Sequence, residues 1–384
     1  MGVLTKARGR SEEAMRKYDV AAYIWPAYTG DEPRTRMFWK EGMGEWQSVK
    51  NARPKENGYV WDRKPLWGYQ NEALPAVMEQ QITEAVRHGV NVFIYDWYWF
   101  DNRPFLENCL NDGFLKAPNC ERMQFYLMWA NHDANHCWNI DLSDDFGNTV
   151  IWNGAVSRPV FETVVHRVVE KYFKKKNYYK INGCPVFMIY DVNNLITGLG
   201  GIEKTREALA YFRKVTREAG FPDLHLQFTL WGEHAVDLSG FDAGLTGSSK
   251  DLLPLLGTDS VSHYQFVHFV DIDRDYADIL PDVAKEWARI ERDYSMPYFP
   301  HVSLGWDNNP RFRRFRPGII KNNTPEAVEV AFRMAKEYLD RHPELPPLVT
   351  VNAWNEWTES SYLLPDNVNG YGYLEAVKRV FLEE

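Results

Sequence analysis

Two glutamates, Glu356 and Glu359, stand three positions apart just after the short apolar run Leu348-Val349-Thr350-Val351. A β-branched run of this length reads as a buried strand. The chain then passes into Asn352-Ala353-Trp354-Asn355-Glu356-Trp357-Thr358-Glu359, rich in indole, amide and carboxyl groups. Cleavage of a glycosidic bond needs two carboxyl groups with different protonation duties, and indole faces stack on the apolar face of a pyranose. A Glu-x-x-Glu pair also suits the start of an exposed helix, where the dipole favours acidic residues. The position behind a strand, bracketed by Trp354 and Trp357, favours the sugar chemistry.

Such a pair must be positioned by a frame, and the chain supplies one. Strand-like runs at Val20–Ile24, Val90–Tyr95, Met123–Met128, Pro185–Tyr190, Leu224–Leu230, Ala243–Thr246, Tyr298–Leu304 and Leu348–Val351 alternate with helical patterns. The helices are expected at Glu72–His88, Phe161–Phe173, Glu203–Ala219, Leu280–Tyr294, Thr324–Arg341 and Gly372–Leu382. Alternation of this kind implies parallel strands joined by crossovers. Eight such units predict an α/β fold, a single (β/α)₈ TIM barrel with elaborated βα loops over residues 1–384, with 26–71 as a long inserted loop. A doubly wound open sheet is the other arrangement, but no Gly-rich phosphate loop follows the first strand.

Active sites of such barrels lie at the C-terminal ends of the strands. Those ends carry Tyr23, Trp25 and Tyr28; Asp96, Trp97, Tyr98 and Trp99; Trp129, Asn131, His132 and Asp133; Tyr190 and Asp191; Trp231, Glu233 and His234; Ser248; Trp306, Asp307 and Asn308; and Asn355, Glu356 and Glu359. Aromatic rings recur beside carboxylates or amides, which predicts a sugar-binding cleft. Glu233 could be a second catalytic acid oriented by His234. Asp96 could be a nucleophile or a buried acceptor holding neighbouring side chains. His132 and His136 have metal-binding spacing but no third ligand, so no metal and no cofactor is expected.

Composition bounds the alternatives. Net charge is −9 and no long basic block occurs, which argues against a nucleic-acid partner. The run Arg311-Phe312-Arg313-Arg314-Phe315-Arg316 reads as a surface loop, or as a contact for an anionic sugar or phosphate. The aromatic share is 15%, with 15 Trp and 21 Tyr, enough to serve both core and cleft. Cys109, Cys120, Cys137 and Cys184 match neither a zinc pattern nor a small disulfide scaffold, though one disulfide fits. No apolar run is long enough to span a membrane, and the partner expected is a polysaccharide or oligosaccharide met by a monomer. The N-terminus lacks an apolar signal segment. The protein is therefore expected to be cytoplasmic, or secreted or periplasmic if a signal peptide has been removed.

Several of these pieces together resemble the WbsX-like group related to glycoside hydrolase family 99. They are Gly44-Glu45-Trp46, Ala52-Arg53-Pro54, Asp96-Trp97-Tyr98-Trp99-Phe100, Trp129-Ala130-Asn131, Trp306-Asp307-Asn308 with Arg311, and Asn352-Ala353-Trp354-Asn355-Glu356-Trp357 with Glu359. The resemblance implies a (β/α)₈ barrel acting on glycans, and it adds Glu45 and Trp46 to the substrate-binding candidates, beside Trp354 and Asn355. By likeness to the retaining endo-α-mannosidases of family 99, Glu359 would be the general acid/base. Glu356 would deprotonate the sugar 2-hydroxyl, giving an anhydro-sugar intermediate. The chain departs from its relatives at His132-Asp133-Ala134, where Glu-Asn-Trp is frequent, at Ser360, where Gly is usual, and at Leu364-Pro365-Asp366, where Glu-Pro-Asp is found.

The leading expectation is thus a retaining glycoside hydrolase. The competing ones are a glycosyltransferase of surface-polysaccharide (O-antigen-like) biosynthesis, a label some WbsX-like proteins carry, and a catalytically silent carbohydrate-binding barrel.

Overall fold

The computed structural model describes residues 18–30, 32–231 and 248–383. Eight parallel strands form its centre: β1 (Asp19–Ile24), β2 (Val92–Phe100), β3 (Gln124–Trp129), β4 (Cys184–Ile189), β5 (His225–Leu230), β6 (Ser260–His263), β7 (His301–Ser303) and β8 (Leu348–Asn352). They are ordered β6-β5-β4-β3-β2-β1-β8-β7. The seam between β6 and β7 is closed by a parallel bridge from Val261 to Tyr298. Val261 donates to Pro297 and accepts from Phe299, each at 2.9 Å. The sheet is therefore a barrel, not an open doubly wound sheet.

Barrel strands are buried on both faces, so continuous apolar runs announce them. That rule locates seven of the eight. The sixth strand is Ser260–His263, whereas the run expected at Ala243–Thr246 lies outside the described residues. Ser260–His263 contains one aliphatic residue, because its side chains serve a polar interior. Ser262 Oγ meets Thr350 Oγ1 at 2.8 Å, and His301 Nδ1 meets the same hydroxyl at 2.9 Å. Tyr23, expected at the cleft, belongs to this interior too: its hydroxyl donates to the His263 carbonyl at 3.0 Å.

The outer helices α1 (Pro75–Arg87), α2 (Arg158–Val168), α3 (Ile202–Glu218), α4 (Tyr276–Asp293), α5 (Pro325–Arg341) and α6 (Gly372–Lys378) follow the 3.6-residue pattern. In α1, Met78, Ile82 and Ala85 face the barrel and are fully buried, the i, i+4, i+7 stripe of an amphipathic helix. Thr324 caps α5 by accepting from the Ala327 N–H, with Pro325 at the first turn, a favoured start. The terminal helix ends at Lys378 and continues as a wider π turn over Arg379–Glu383. Between β2 and β3 the helical segments are single short turns, Cys109–Gly113, Phe114–Lys116 and Cys120–Arg122.

Two excursions shape the mouth of the barrel. Strand β2 runs past the barrel and turns back through Asp101 and Asn102, both left-handed at φ 53° and 57°, to pair with Arg103–Phe105. Asp and Asn tolerate that conformation at two-residue hairpins. After β3, the hairpin Ala134–Asn135 with Val150–Trp152 carries the short helix Ser143–Phe146.

Candidate active site

The C-terminal mouth of the barrel holds a cavity of about 360 Å³. Its floor carries Glu356 and Glu359, and its walls include Trp25, Asp96, Tyr98, His132, Trp138, Tyr190, Trp231 and Tyr264. The glutamates stand just past β8. Asn355 locks this segment to β1: its amide oxygen accepts from Trp25 N–H at 2.8 Å, and its Nδ2 donates to the Trp25 carbonyl at 2.9 Å. Asn355–Glu356 then pairs with Ser361–Tyr362, and a single 3₁₀ turn, Trp357–Glu359, lies between. Ser360 ends that turn in the left-handed region at φ 54°. This conformation explains why Gly is usual there. The serine is held by Trp61, whose Nε1 donates to its hydroxyl at 2.9 Å.

Arg311 organises the carboxyl groups. Its Nη1 donates to Glu359 Oε1 at 2.6 Å and its Nη2 to Glu356 Oε1 at 2.7 Å, while Nε donates to Glu45 Oε1 at 2.8 Å. The planar fork of Arg suits such multidentate contact. Glu45 reaches this position because Gly44, left-handed at φ +60°, lets the chain pass against the Ala27 carbonyl; a Cβ there would lie 1.8 Å from that oxygen. The other Glu45 oxygen accepts from Trp25 Nε1 at 2.5 Å.

One guanidinium facing three buried carboxyl groups leaves a local excess of acid. Burial pushes Glu356 well above the ordinary carboxylate range; repulsion from Glu359 adds to this and Arg311 opposes it. Burial likewise raises Glu359, again opposed by Arg311. Oε2 of Glu359 is buried without a hydrogen-bond partner among the described residues. Across the cavity, Asp96 accepts from the Tyr264 hydroxyl at 2.9 Å, and its other oxygen has no such partner. Burial raises Asp96 as well, and lowers His132 so that its ring is held neutral.

Of the sequence candidates, Trp25, Asp96, Tyr98, His132, Asp133, Tyr190, Trp231, Glu356 and Glu359 line this cavity. Glu45 lies beneath it through Arg311. The others lie elsewhere, for identifiable reasons. Trp354 is fully buried and donates to Gln81 on α1 at 2.7 Å. Trp357 stacks on Tyr362 at 3.9 Å and packs on Trp46, so neither indole of the bracket presents a face to the cavity. Trp46 itself donates to the Gln70 carbonyl. Trp97 points outward to Glu107 at 2.8 Å, and Trp129 packs on Phe161. Asn131 clasps the Asp191 backbone through both ends of its amide. Asp307 accepts from the Tyr59 hydroxyl and the Asn309 amide. Trp99 lines a separate cleft beside Trp152, and Trp306 and Asn308 line a neighbouring cavity. Glu233 and His234 lie outside the described residues.

Arg311, Tyr264 and Trp138 are the wall and floor residues that strand-end reasoning did not reach. Arg311 stands in a run that reads as a surface loop or an anion contact, and it is also one of the residues that carry the family resemblance; it is buried. Only its neighbours are superficial, and those are met by acids: Arg314 by Asp145 at 3.2 Å, Arg316 by Asp144 at 3.3 Å, and Arg313 by Asp141. Tyr264 follows the misplaced sixth strand, where an aromatic directly after His263 was the signal available. All four cysteines are free. Among the described residues, no three His, Cys, Asp or Glu side chains gather as a metal site, and no helix is long and apolar enough to cross a membrane.

Comparison with known proteins places this geometry. The family described as Glycosyltransferase WbsX matches residues 20–377. The chain belongs to that family. The protein WxcX of Xanthomonas campestris pv. campestris, described as uncharacterized, is 26% identical over 351 residues, covering 90% of this chain and 47% of WxcX. The chain thus spans about half the length of the curated relatives it matches. Among solved structures, the GH99 endo-alpha-mannosidase from Bacteroides thetaiotaomicron superposes with a TM-score of 0.57 at 12% identity, over 95% of this chain and 96% of that one. A glycoside hydrolase-like protein gives 0.58 at 15% identity, over 95% and 94%. At these identities the likeness is one of fold: the WbsX chain has the barrel of glycoside hydrolase-like proteins.

Proposed function

We propose that this WbsX-family protein is a retaining glycoside hydrolase in which Glu359 and Glu356 divide the proton work. The observation that carries the reading is the pair itself: two buried carboxyls on the floor of an aromatic-walled cavity, both held by Arg311. Burial raises Glu359, and a carboxyl raised by burial suits a general acid. Glu359 donates its proton to the glycosidic oxygen as the bond to C1 breaks. Glu356 takes the proton of the sugar 2-hydroxyl, and that oxygen closes on C1 from the opposite face. Water then opens the anhydro-sugar at C1, giving its proton to Glu359, while Glu356 returns a proton to the 2-oxygen. Two inversions at C1 leave the configuration retained. Backside attack requires the 2-hydroxyl and the leaving group to be trans, so the substrate is a 1,2-trans glycoside such as an α-mannoside or a β-glucoside.

A 2-deoxy-2-fluoro glycoside with an activated leaving group tests this directly. It should neither turn over nor leave a sugar on the protein. A sugar mass found by intact-protein mass spectrometry and mapped to Glu356 or Asp96 would establish an ordinary nucleophile instead. The family description favours a second reading, transfer from a nucleotide sugar. It requires that no reducing sugar be released from a glycan, and that an added nucleotide sugar be consumed, its sugar joined to an acceptor and its nucleotide released. A catalytically silent barrel would bind glycan and release nothing in either case.

A further inference from the structure

Beside the catalytic cavity lies a second one, of about 580 Å³, and Cys137 lines both. One wall of the second cavity is the short helix Ser143–Phe146 and the turn after it; the other is Trp306, Asn308, Phe312 and Arg316. It is fixed relative to the candidate acid. The N–H of Asp307, between Trp306 and Asn308, donates to the Glu359 carbonyl at 2.8 Å. The Ser143 hydroxyl donates to the Arg311 carbonyl at 2.6 Å. Both walls are thereby tied to residues of the catalytic floor.

The charged side chains lining this cavity are two acids, Asp144 and Asp145, and one base, Arg316, so it offers no surplus of positive charge. Arg316 meets Asp144 Oδ1, and Asp144 Oδ2 also accepts the Arg313 backbone N–H at 2.8 Å. An anion entering here would have to displace Asp144, at a cost in charge repulsion. Aromatic surface is abundant. Trp306 is half-buried, and Phe146 at the rim is 54% exposed. The Asn308 side chain makes no hydrogen bond among the described residues. An exposed ring face beside a free amide suits a hydroxyl-rich, uncharged ring.

We infer that the second cavity is a subsite for a further neutral sugar unit of the glycan held in the catalytic cavity, with Trp306 as its platform and Asn308 as its hydrogen-bonding partner. The inference rests on the glycan-cleaving reading above and extends it to chain length and charge.

The test is binding, which separates it from catalysis. The Glu359→Gln protein is applied to an array of neutral gluco-, manno- and galacto-oligosaccharides of two to six units, and to the same chains ending in a uronic acid. Retention should strengthen with chain length in a neutral series. Adding Trp306→Ala should cost the longer chains about ten-fold in affinity, the size of one lost aromatic contact, and leave the disaccharides unchanged. Asn308→Ala, a milder change, should weaken the same chains in the same sense if Trp306→Ala fails to fold. Retention independent of length, a length effect that survives both substitutions, or preference for the uronic acid chains would overturn the subsite while leaving the catalytic reading in place. Retention of no oligosaccharide at all would overturn both.

Discussion

Arg311→Met removes one guanidinium from between Glu45, Glu356 and Glu359, three carboxyl groups buried to within 12% exposure. Methionine roughly keeps the volume and abolishes the charge. Breaking a buried ion pair by removing one partner costs about 3–5 kcal/mol, because the remaining charge is left uncompensated. Unfolding entropy of about 2.1 cal/mol/K per residue makes each kcal/mol worth a little over 1 °C in a chain of 384 residues. A fall in Tm of about 5 °C is therefore expected. The penalty should depend on pH with a definite sign. Burial already raises Glu356 and Glu359, and Arg311 opposes that rise, so its removal lifts both further. A carboxyl whose pKa is higher in the folded than in the unfolded state stabilises the fold at low pH and loses that contribution as pH climbs through the folded value. The deficit relative to the unsubstituted protein should be small near about pH 5 and widest near about pH 8, measured by urea denaturation at both. On the proposed mechanism the acidic limb of the pH–rate profile is set by ionisation of Glu356 and should move to higher pH. Arg311→Lys should fall between the two proteins, since a point charge cannot fork to three partners. A deficit below about 1 kcal/mol, or one equal at both pH values, would show that the carboxyls do not depend on Arg311.

Glu359→Gln should slow hydrolysis of an unactivated glycoside by roughly 10²–10⁴-fold and slow an aryl glycoside with a good leaving group far less; equal loss on both would remove Glu359 as the acid. Glu72 is buried and pushed up to about 8, with Gln81 and Asn355 as donors at 3.1 and 2.9 Å. Its stabilising contribution is present at low pH and withdrawn as pH rises toward and through that value, so Glu72→Gln should flatten the alkaline decline of Tm; an unchanged decline would locate its source elsewhere. Activity should survive a chelator, because the carboxyl pair needs no metal ion; loss with EDTA and recovery with a divalent ion would redirect attention to His132 and its neighbours.

What the sequence disclosed, and what it hid, follows from how each residue is used. Strands such as Cys184–Ile189 and Leu348–Asn352 are buried on both faces and therefore spelled in apolar letters. Ser260–His263 is spelled in polar ones because its side chains bond across the barrel interior, and hydropathy passes over it. Glu356 and Glu359 were legible because a strand end is where this architecture places chemistry. The tryptophans misled, since a ring beside a carboxylate in sequence need not share its cavity: Trp97 and Trp354 spend their indole N–H groups on Glu107 and Gln81. Residue by residue, Arg311 was hidden by its company, a basic run whose other members are indeed superficial, and only the family resemblance set it apart.

That run also shows how distant surface charge reaches the carboxyl pair. Arg311 must hold its place against a strong desolvation penalty, so its loop needs anchors of its own. The short acidic helix supplies them: Ser143 takes the Arg311 carbonyl, while Asp144 and Asp145 take the backbone and side chains of residues 313–316. From the other side, Gly44 admits Glu45 to the guanidinium. Three short segments remote in sequence, 44–45, 141–145 and 307–316, thus fix one positive charge between the carboxyls of 356–359. The protonation state of that pair is then a property of the loops as much as of the barrel. Relatives that keep both glutamates while changing these loops should share a fold and differ in the pH at which the pair can work.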